Sequence, residues 1–399
     1  LLDGRRGAVE GECIGGTPAG DFLFLPEVHS SRKHVYWETA SFVIVLVSVV
    51  TIFLELVRLF TGWSIVVFIS SIFVVLYFIL MVFKLWVVSK AITFPLIDFT
   101  KEEIDAIRDE NLPMYTILIP LYREERVIQQ ILEAMTAIDY PPEKLDIIIT
   151  LEEYDYPTID AINKIGLPSH FRILILPDVQ PKTKPKALNV AFLETKGEFL
   201  VIYDAEIIPE PDQLKKAYLA FRKYSRIGCF QTRLDHYNAN QNVLTKLFNA
   251  EFSFYYDLFL PGLQQLGYPI PLSGHSVHFR RDVITNVGAW DPYNVAEDCD
   301  IGMRIHRMGY RTGIINSTSL EEATSDLHSW ILQRTRWMKG FIQTSIVHLR
   351  HPFRFKQEVG GWKNFLAFLI TVPGSVFINT LNLFFWMLLL LWLTIHPAW

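Results

Sequence analysis

The stretch EFLVIYDAE, residues 198–206, decides the fold. Five consecutive apolar or aromatic residues, Phe199–Tyr203, run straight into two carboxylates, Asp204 and Glu206. A short apolar run closed by a polar turn reads as a buried strand. Working outward, MYTILIP (114–120), LDIIITLEE (145–153) and FRILILP (171–177) have the same form, and amphipathic helices begin between them near Glu124, Pro157 and Pro185. Strand–helix alternation at this spacing predicts an α/β domain with a mostly parallel sheet, right-handed crossovers and a nucleotide-binding architecture. Such sheets bind ligands at the C-terminal ends of their strands. The polar residues gather at those ends: Tyr122, Arg123 and Glu124, then Glu152 and Glu153, Asp178, and Asp204 with Glu206. No GxGxxG and no P-loop occurs, which disfavours a dinucleotide oxidoreductase or an NTPase.

Four groups of residues carry candidate chemistry. Asp204 and Glu206 stand two apart and so face the same way. Two hard oxygens there suit Mg2+ or Mn2+ held with diphosphate oxygens, an ordinary acidic loop being the alternative. Lys182, Lys184 and Lys186, in PKTKPKALN, run into a helix N-terminus, where lysines and free N–H groups favour phosphate; a solvated turn is the other reading. Glu297, Asp298 and Asp300 open a helix in EDCD, where acids either serve the helix dipole or supply a general base. Gln333, Arg336 and Trp337, in QRTRW, share one helix face. Arginine forks onto phosphate and tryptophan stacks on a sugar face. A membrane-interface Trp with a snorkelling Arg is the bland alternative.

Composition places the chain partly in a membrane. Half of the 399 residues are apolar, only 20% are charged, and the formal net charge is -5. Mean hydropathy is +0.23. This excludes a disordered chain and a nucleic-acid binder built on a basic surface. Cys13, Cys229 and Cys299 are too few and too scattered for a disulfide framework or a zinc site. Two apolar runs, 41–57 and 63–83, are separated by Arg58–Gly62, and a third extends from about Val376 to Trp399. Each approaches the length that crosses ~30 Å of hydrocarbon. Arg5, Arg6, Arg32 and Lys33 precede the hairpin and Lys84 and Lys90 follow it, which puts both flanks in the cytoplasm. Residues 351–373 pair basic and aromatic side chains as an interfacial helix does. The expected division is a cytoplasmic segment 1–36, a membrane hairpin 37–90, a catalytic domain 91–350, an interfacial region 351–373 and a membrane helix 374–399. The location is then the inner (plasma) membrane, multi-pass, with the catalytic domain cytoplasmic. No signal peptide is evident. The initial Leu and the stop at the membrane edge read as fragment boundaries.

IPLYREE, DAE, EDCD and QRTRW, in that order, resemble the membrane-integrated processive synthases of glycosyltransferase family 2, the group of cellulose, hyaluronan and chitin synthases. LEEYD, PKTKPKALN, YDAE, PIPLSGHSVHF and WDPYNVAEDCD are similar to a bacterial branch resembling the phage-receptor glycan synthases. The resemblance covers roughly Met114 to Pro352 and implies a GT-A-type fold. It implies that Pro120, Tyr122 and Glu124 line the nucleoside site, with Glu152 or Glu153 reading base or ribose. Lys186 would contact the donor diphosphate, Asp204 and Glu206 the metal. Asp298 would be the catalytic base, with Glu297 beside it at the acceptor. Gln333 and Arg336 would hold the diphosphate, and Trp337 would stack under the acceptor sugar, near Gly274 and His275. The motifs depart from the family in three places: DAE for DxD, Ala296 for the Thr of TED, and SGHS for the FFCGS loop. The implied activity is inverting transfer from a nucleotide sugar, a UDP-sugar by resemblance, to a polysaccharide or glycolipid acceptor at the bilayer. Secretion-complex subunits are further candidate partners. The alternatives are single addition to a polyprenyl phosphate or lipid, and an inactive scaffold or receptor.

Overall fold

The computed structural model describes residues 24–26, 29–32, 55, 59 and 65–395. The apolar run at 41–57 therefore lies outside the described residues, apart from Glu55. Thirteen helices of seven residues or more are labelled: α1 Ile65–Thr93, α2 Ile128–Thr136, α3 Tyr156–Ile165, α4 Lys184–Leu193, α5 Gln213–Lys223, α6 Val243–Ser253, α7 Leu260–Leu266, α8 Arg281–Val287, α9 Glu297–Arg307, α10 Leu327–Leu349, α11 Pro352–Glu358, α12 Trp362–Thr371 and α13 Pro373–Ile395. Eight strands form one sheet: β1 Tyr115–Leu121, β2 Leu145–Glu152, β3 Phe171–Leu176, β4 Phe199–Ile202, β5 Ile208–Pro209, β6 Ile227–His236, β7 Val277–Arg280 and β8 Arg311–Glu321.

The sheet order is β3-β2-β1-β4-β7-β6-β8-β5. The first four strands pair in parallel, as the apolar runs predict. Helices cover both faces, which is why all eight residues of β2 are buried. α2 shows the matching helical pattern, burying Ile128, Ile131, Leu132 and Met135 on one stripe. The second half is mixed. β7 runs antiparallel to β4 and β6, β8 runs parallel to β6, and the two-residue β5 closes antiparallel on β8.

A second core joins the end of the domain to the helices that follow. Ala296, Cys299 and Met303 pack with Phe355, Val359, Phe365, Phe368 and Val372. Two helical stretches, Ser71–Thr93 and Trp362–Met387, are long and apolar enough to cross a membrane by length and composition. The region expected to lie in the interface consists of α11 and α12, whose Phe355, Phe365 and Phe368 are buried. Residues 24–26 and 29–32 dock on the domain: Leu25 is buried, and Ser30 Oγ and the Ser31 N–H both donate to Asp291, at 2.9 and 2.5 Å.

Candidate active site

The site begins where β4 ends. Tyr203 is buried and donates to Gln213 Oε1 at 2.8 Å, so the chain turns outward with Asp204 and Glu206 at the strand's C-terminal edge. Because Ile208 pairs with Leu320, this turn lies alongside Glu321 and Glu322 at the end of β8. Glu206 sits on the exposed rim, yet the surrounding protein strips it of water. That desolvation, and then the charges of Glu321, Asp204, Glu124 and Glu322, push its carboxyl up to about 7. Glu124 is raised as well, by burial first and then by Glu125, Asp155 and Asp204.

One lysine answers that charge. Lys184, in the first turn of α4, places Nζ against Asp204 Oδ1 and donates to the Gly274 carbonyl at 2.9 Å. Burial opposes its charge, but Asp204, Glu297 and Asp298 outweigh it and raise its pKa. Lys186 does something else. It is fully buried, with Nζ 3.1 Å from Glu152 Oε1 and donating to the Val179 carbonyl at 3.1 Å. The structure thus places Lys186, expected at the diphosphate, with its side chain in the core and its ammonium against Glu152, away from the cleft that Lys184 enters. Glu152 is correspondingly withdrawn from the cleft. Glu153 is exposed, and its Oε1 accepts the Asp178 N–H at 3.0 Å. Tyr122 is exposed, edge-on to Tyr154 at 6.1 Å, and Lys182 Nζ lies 4.1 Å over the Tyr154 ring. Pro120 is half-buried at the end of β1.

The opposite wall is the start of α9. Glu297 is buried; Asp298 is half-buried and its Oδ1 accepts the Cys299 N–H at 2.7 Å. Burial, then the charge of Glu297, raises Asp298 to about 7, against the pull of Lys184 and Arg336. Burial raises Glu297 too, with Lys184 opposing. Asp300, two residues on and so on the other side of the helix, has the opposite fate. Burial would raise it, but Arg304 at 2.8 Å and His348 at 3.1 Å hold it down at about 2. It is a structural ion pair, while Asp298 keeps the poise of a working acid or base. A Cβ at Gly274 would lie 3.1 Å from Asp298 Oδ2 and 3.4 Å from Lys184 Nζ. Gly274 thus lets the loop before β7 touch both walls.

Helix α10 is seated directly behind Asp298. Gly340 permits this, since a Cβ there would fall 2.3 Å from the Ala296 Cβ. Asn294 donates to Thr344 Oγ1 at 3.0 Å and Val295 N–H to Gln343 Oε1 at 3.1 Å, fixing the loop before α9 to the same helix. Arg336 is exposed, close enough for its charge to act on Glu297 and Asp298. Trp337 is half-buried, stacked on Phe248 at 6.5 Å and beneath the Arg334 guanidinium at 4.6 Å; Arg334 in turn forks onto Glu251. Gln333 is half-buried and its Oε1 has no partner. His275 is buried, its Nε2 3.0 Å from the Tyr256 hydroxyl. Lys184, Asp204, Gly274 and Asp298 are therefore brought together, with Glu297 and Arg336 adjoining. Glu321 and its partner on β6 belong to no motif, and only sheet register brings them to the site.

Comparison with known proteins bears on the family and the fold. The family model described as Glycosyltransferase like family 2 matches residues 113–340, more than half of the chain. The probable glycosyltransferase YdaM of Bacillus subtilis (strain 168) is 27% identical over 252 residues, 62% of this chain and 60% of the relative. The match thus spans under two thirds of that protein's length. Among solved structures, the mannosyltransferase PcManGT from Pyrobaculum calidifontis, in complex with GDP-Man and Mn2+, superposes with a TM-score of 0.54 at 18% identity. It covers 79% of this chain and 90% of that one. At that identity the likeness speaks for the fold: a mixed α/β GT-A-like domain with a curled sheet. The chain belongs to glycosyltransferase-like family 2.

Proposed function

We propose that the chain is an inverting, membrane-bound glycosyltransferase that moves sugar from a nucleotide-sugar donor, a UDP-sugar in this reading, onto a growing saccharide. One observation carries it: Asp298, Lys184 and Asp204 converge around Gly274 at the ligand edge of the sheet. The Asp298 carboxylate accepts the proton of the acceptor hydroxyl, whose oxygen attacks the anomeric carbon as the bond to the diphosphate breaks. Lys184 and Arg336 take up the charge on the departing diphosphate. With one base and no second enzymatic nucleophile, the displacement inverts and the linkage is β. Tyr122, Pro120 and Glu153 line the nucleoside side, and Gln333 and Trp337 the acceptor side.

Among the described residues no three His, Cys, Asp or Glu side chains are grouped as a complete metal site. Asp204 and Glu206 nonetheless fit a divalent ion as a pair of hard oxygens at the strand's end, where burial first and then the charges of Glu321, Asp204, Glu124 and Glu322 already resist ionisation of Glu206. Mg2+ or Mn2+ held there would neutralise diphosphate charge. The apolar stretches Ser71–Thr93 and Trp362–Met387 are long enough to cross a bilayer and favour membrane association; in this reading the polymer leaves through that bilayer, and no nucleic acid partner is invoked. Purified protein is offered a panel of nucleotide sugars and released nucleotide is measured. Release from one of them, with a ladder of lengthening products, is expected. Release with a single added sugar would replace polymer synthesis by single transfer, and no release from any donor would overturn the assignment.

A further inference from the structure

A cavity of about 420 Å³ opens where the two apolar stretches meet the domain. One wall is the chain leaving the first stretch, from Pro95 to Asp98, directly after Thr93. Another is Tyr268, which ties the cavity to both stretches. Its ring stacks on Phe83 at 6.0 Å and lies edge-on to Trp86 at 5.9 Å. Lys363, the second residue of the other stretch, holds Nζ 4.9 Å over the same ring and donates to the Leu266 carbonyl at 2.9 Å. The end of one stretch and the start of the other thus meet at Tyr268. Trp, Tyr and Lys side chains in that position settle at the headgroup level of a bilayer.

The cavity carries cations and donors. Lys223, at the end of α5, and Arg311, at the start of β8, both line it and are both exposed. Arg311 lies across the turn that ends α7, with Nη1 3.5 Å from where a Cβ on Gly267 would stand. Its N–H donates to the Arg226 carbonyl at 3.1 Å, which sets Arg226, also exposed, beside it. Among the described residues, Lys223, Arg226, Arg311 and Lys363 make no ion pair. The carboxylate in the lining, Asp98, is already engaged. Its Oδ1 accepts the Phe99 N–H and its Oδ2 accepts from Asn316 Nδ2, each at 2.8 Å. Gln264 turns its oxygen to the Ile314 N–H, so its Nε2 is left as a donor.

Unpaired positive charge with N–H donors selects an anion, and arginine forks onto phosphate. The rim indicates which phosphate. Ile92 is 75% exposed and Phe94 49% exposed, directly before the lining residue Pro95. Apolar side chains beside an anion pocket suit a phosphate that carries hydrocarbon, and basic residues just past a membrane-crossing helix attract anionic lipid. We propose that this cavity binds the phosphate headgroup of an anionic phospholipid, with Lys223 and Arg311 on the phosphate and Ile92 and Phe94 against the acyl chains. The inference rests on the membrane association proposed above. It goes beyond the glycosyl-transfer reading, since none of these residues belongs to the catalytic site.

The test uses the full chain in neutral detergent, incubated with dioleoyl phosphatidylglycerol or dioleoyl phosphatidylcholine, with bound lipid read by native mass spectrometry. Phosphatidylglycerol is expected to bind at least about ten-fold tighter. Lys223→Gln combined with Arg311→Gln should weaken it about thirty-fold, each basic residue near the surface contributing about five-fold. Lys164→Gln combined with Lys196→Gln removes the same charge from exposed positions elsewhere, and should leave binding within about two-fold. Thermal melting confirms that each variant is folded. Equal binding of the two lipids overturns the proposal, as does parental affinity in the folded Lys223, Arg311 variant. An equal loss in the Lys164, Lys196 variant makes the effect one of net charge and also overturns it. Inorganic phosphate added at the lipid's concentration should not displace the lipid; displacement would give the cavity to free phosphate and overturn the proposal. Failure of the membrane reading is seen separately, as a parent chain that stays soluble and monodisperse without detergent. Failure of the glycosyl-transfer reading is seen as no nucleotide release while phosphatidylglycerol still binds.

Discussion

Replacing Lys186 by Met distinguishes a lysine that holds the fold from one that holds the ligand. Lys186 is 0% exposed, and Nζ is 3.1 Å from Glu152 and 3.1 Å from the Val179 carbonyl. Removing it strands a buried carboxylate, and breaking a buried pair from one side costs about 3–5 kcal/mol. For a domain of this size each kcal/mol moves Tm by ~2–4 °C, so Lys186→Met should melt roughly 6–20 °C lower. Adding Glu152→Gln should recover much of the loss, since the uncompensated charge disappears. Lys184→Met is the control. Its pair with Asp204 is about a third exposed on both sides and worth at most ~1 kcal/mol, so Tm should shift by only a few degrees. UDP affinity should nevertheless fall in Lys184→Met. Differential scanning calorimetry and UDP titration on the same samples decide the matter. A Lys186→Met protein that melts like the parent but no longer binds UDP would refute the reasoning and return Lys186 to the diphosphate.

Four further outcomes follow from the site. Gly274→Ala puts a methyl 3.1 Å from Asp298 Oδ2, so the carboxylate must give by a few tenths of an ångström; kcat should fall about ten-fold with UDP affinity retained, and a parental kcat would contradict the contact. The pH profile of kcat/KM should rise through about 7, because Asp298 raised to about 7 is protonated below it and cannot accept a proton; an acid limb near 4 would contradict this. The same shift has a stability sign: with its pKa raised from 3.8, Asp298 is held protonated by the fold, so stability is lost as pH rises through about 7, and Asp298→Asn should melt above the parent at pH 8 with the gap closing toward pH 4. Excess EDTA should abolish transfer and added Mn2+ restore it; undiminished activity in EDTA would remove Asp204 and Glu206 from a metal role.

The sequence made the first half of the sheet readable and left the second half obscure, for a physical reason. β1 to β4 are buried on both faces, so each reads as an unbroken apolar run. β6 and β8 bury Gln231, Thr232, Ser317 and Ser319 instead, the first two donating to the backbone carbonyls of His275 and Ser276 and the serines accepting from Gln213, and periodicity fails there. The carboxylates were legible because strand ends and helix starts place them. Which of three lysines turns into the cleft was not, since that depends on where Glu152 lies. His236 and Glu321 lie 85 positions apart and are joined only by parallel register, which no local motif encodes. The docking of Ser30 and Ser31 on Asp291 was equally invisible, being a contact between residues about 260 positions apart in sequence.

The central claim is that Asp298 takes the proton of the acceptor, and Asp298→Asn tests it most directly. Donor binding and sugar transfer are measured side by side on the full chain. The account predicts UDP affinity within about two-fold of the parent and transfer reduced by at least the ~100-fold that general-base catalysis contributes. Substantial turnover in the folded Asn protein would contradict it.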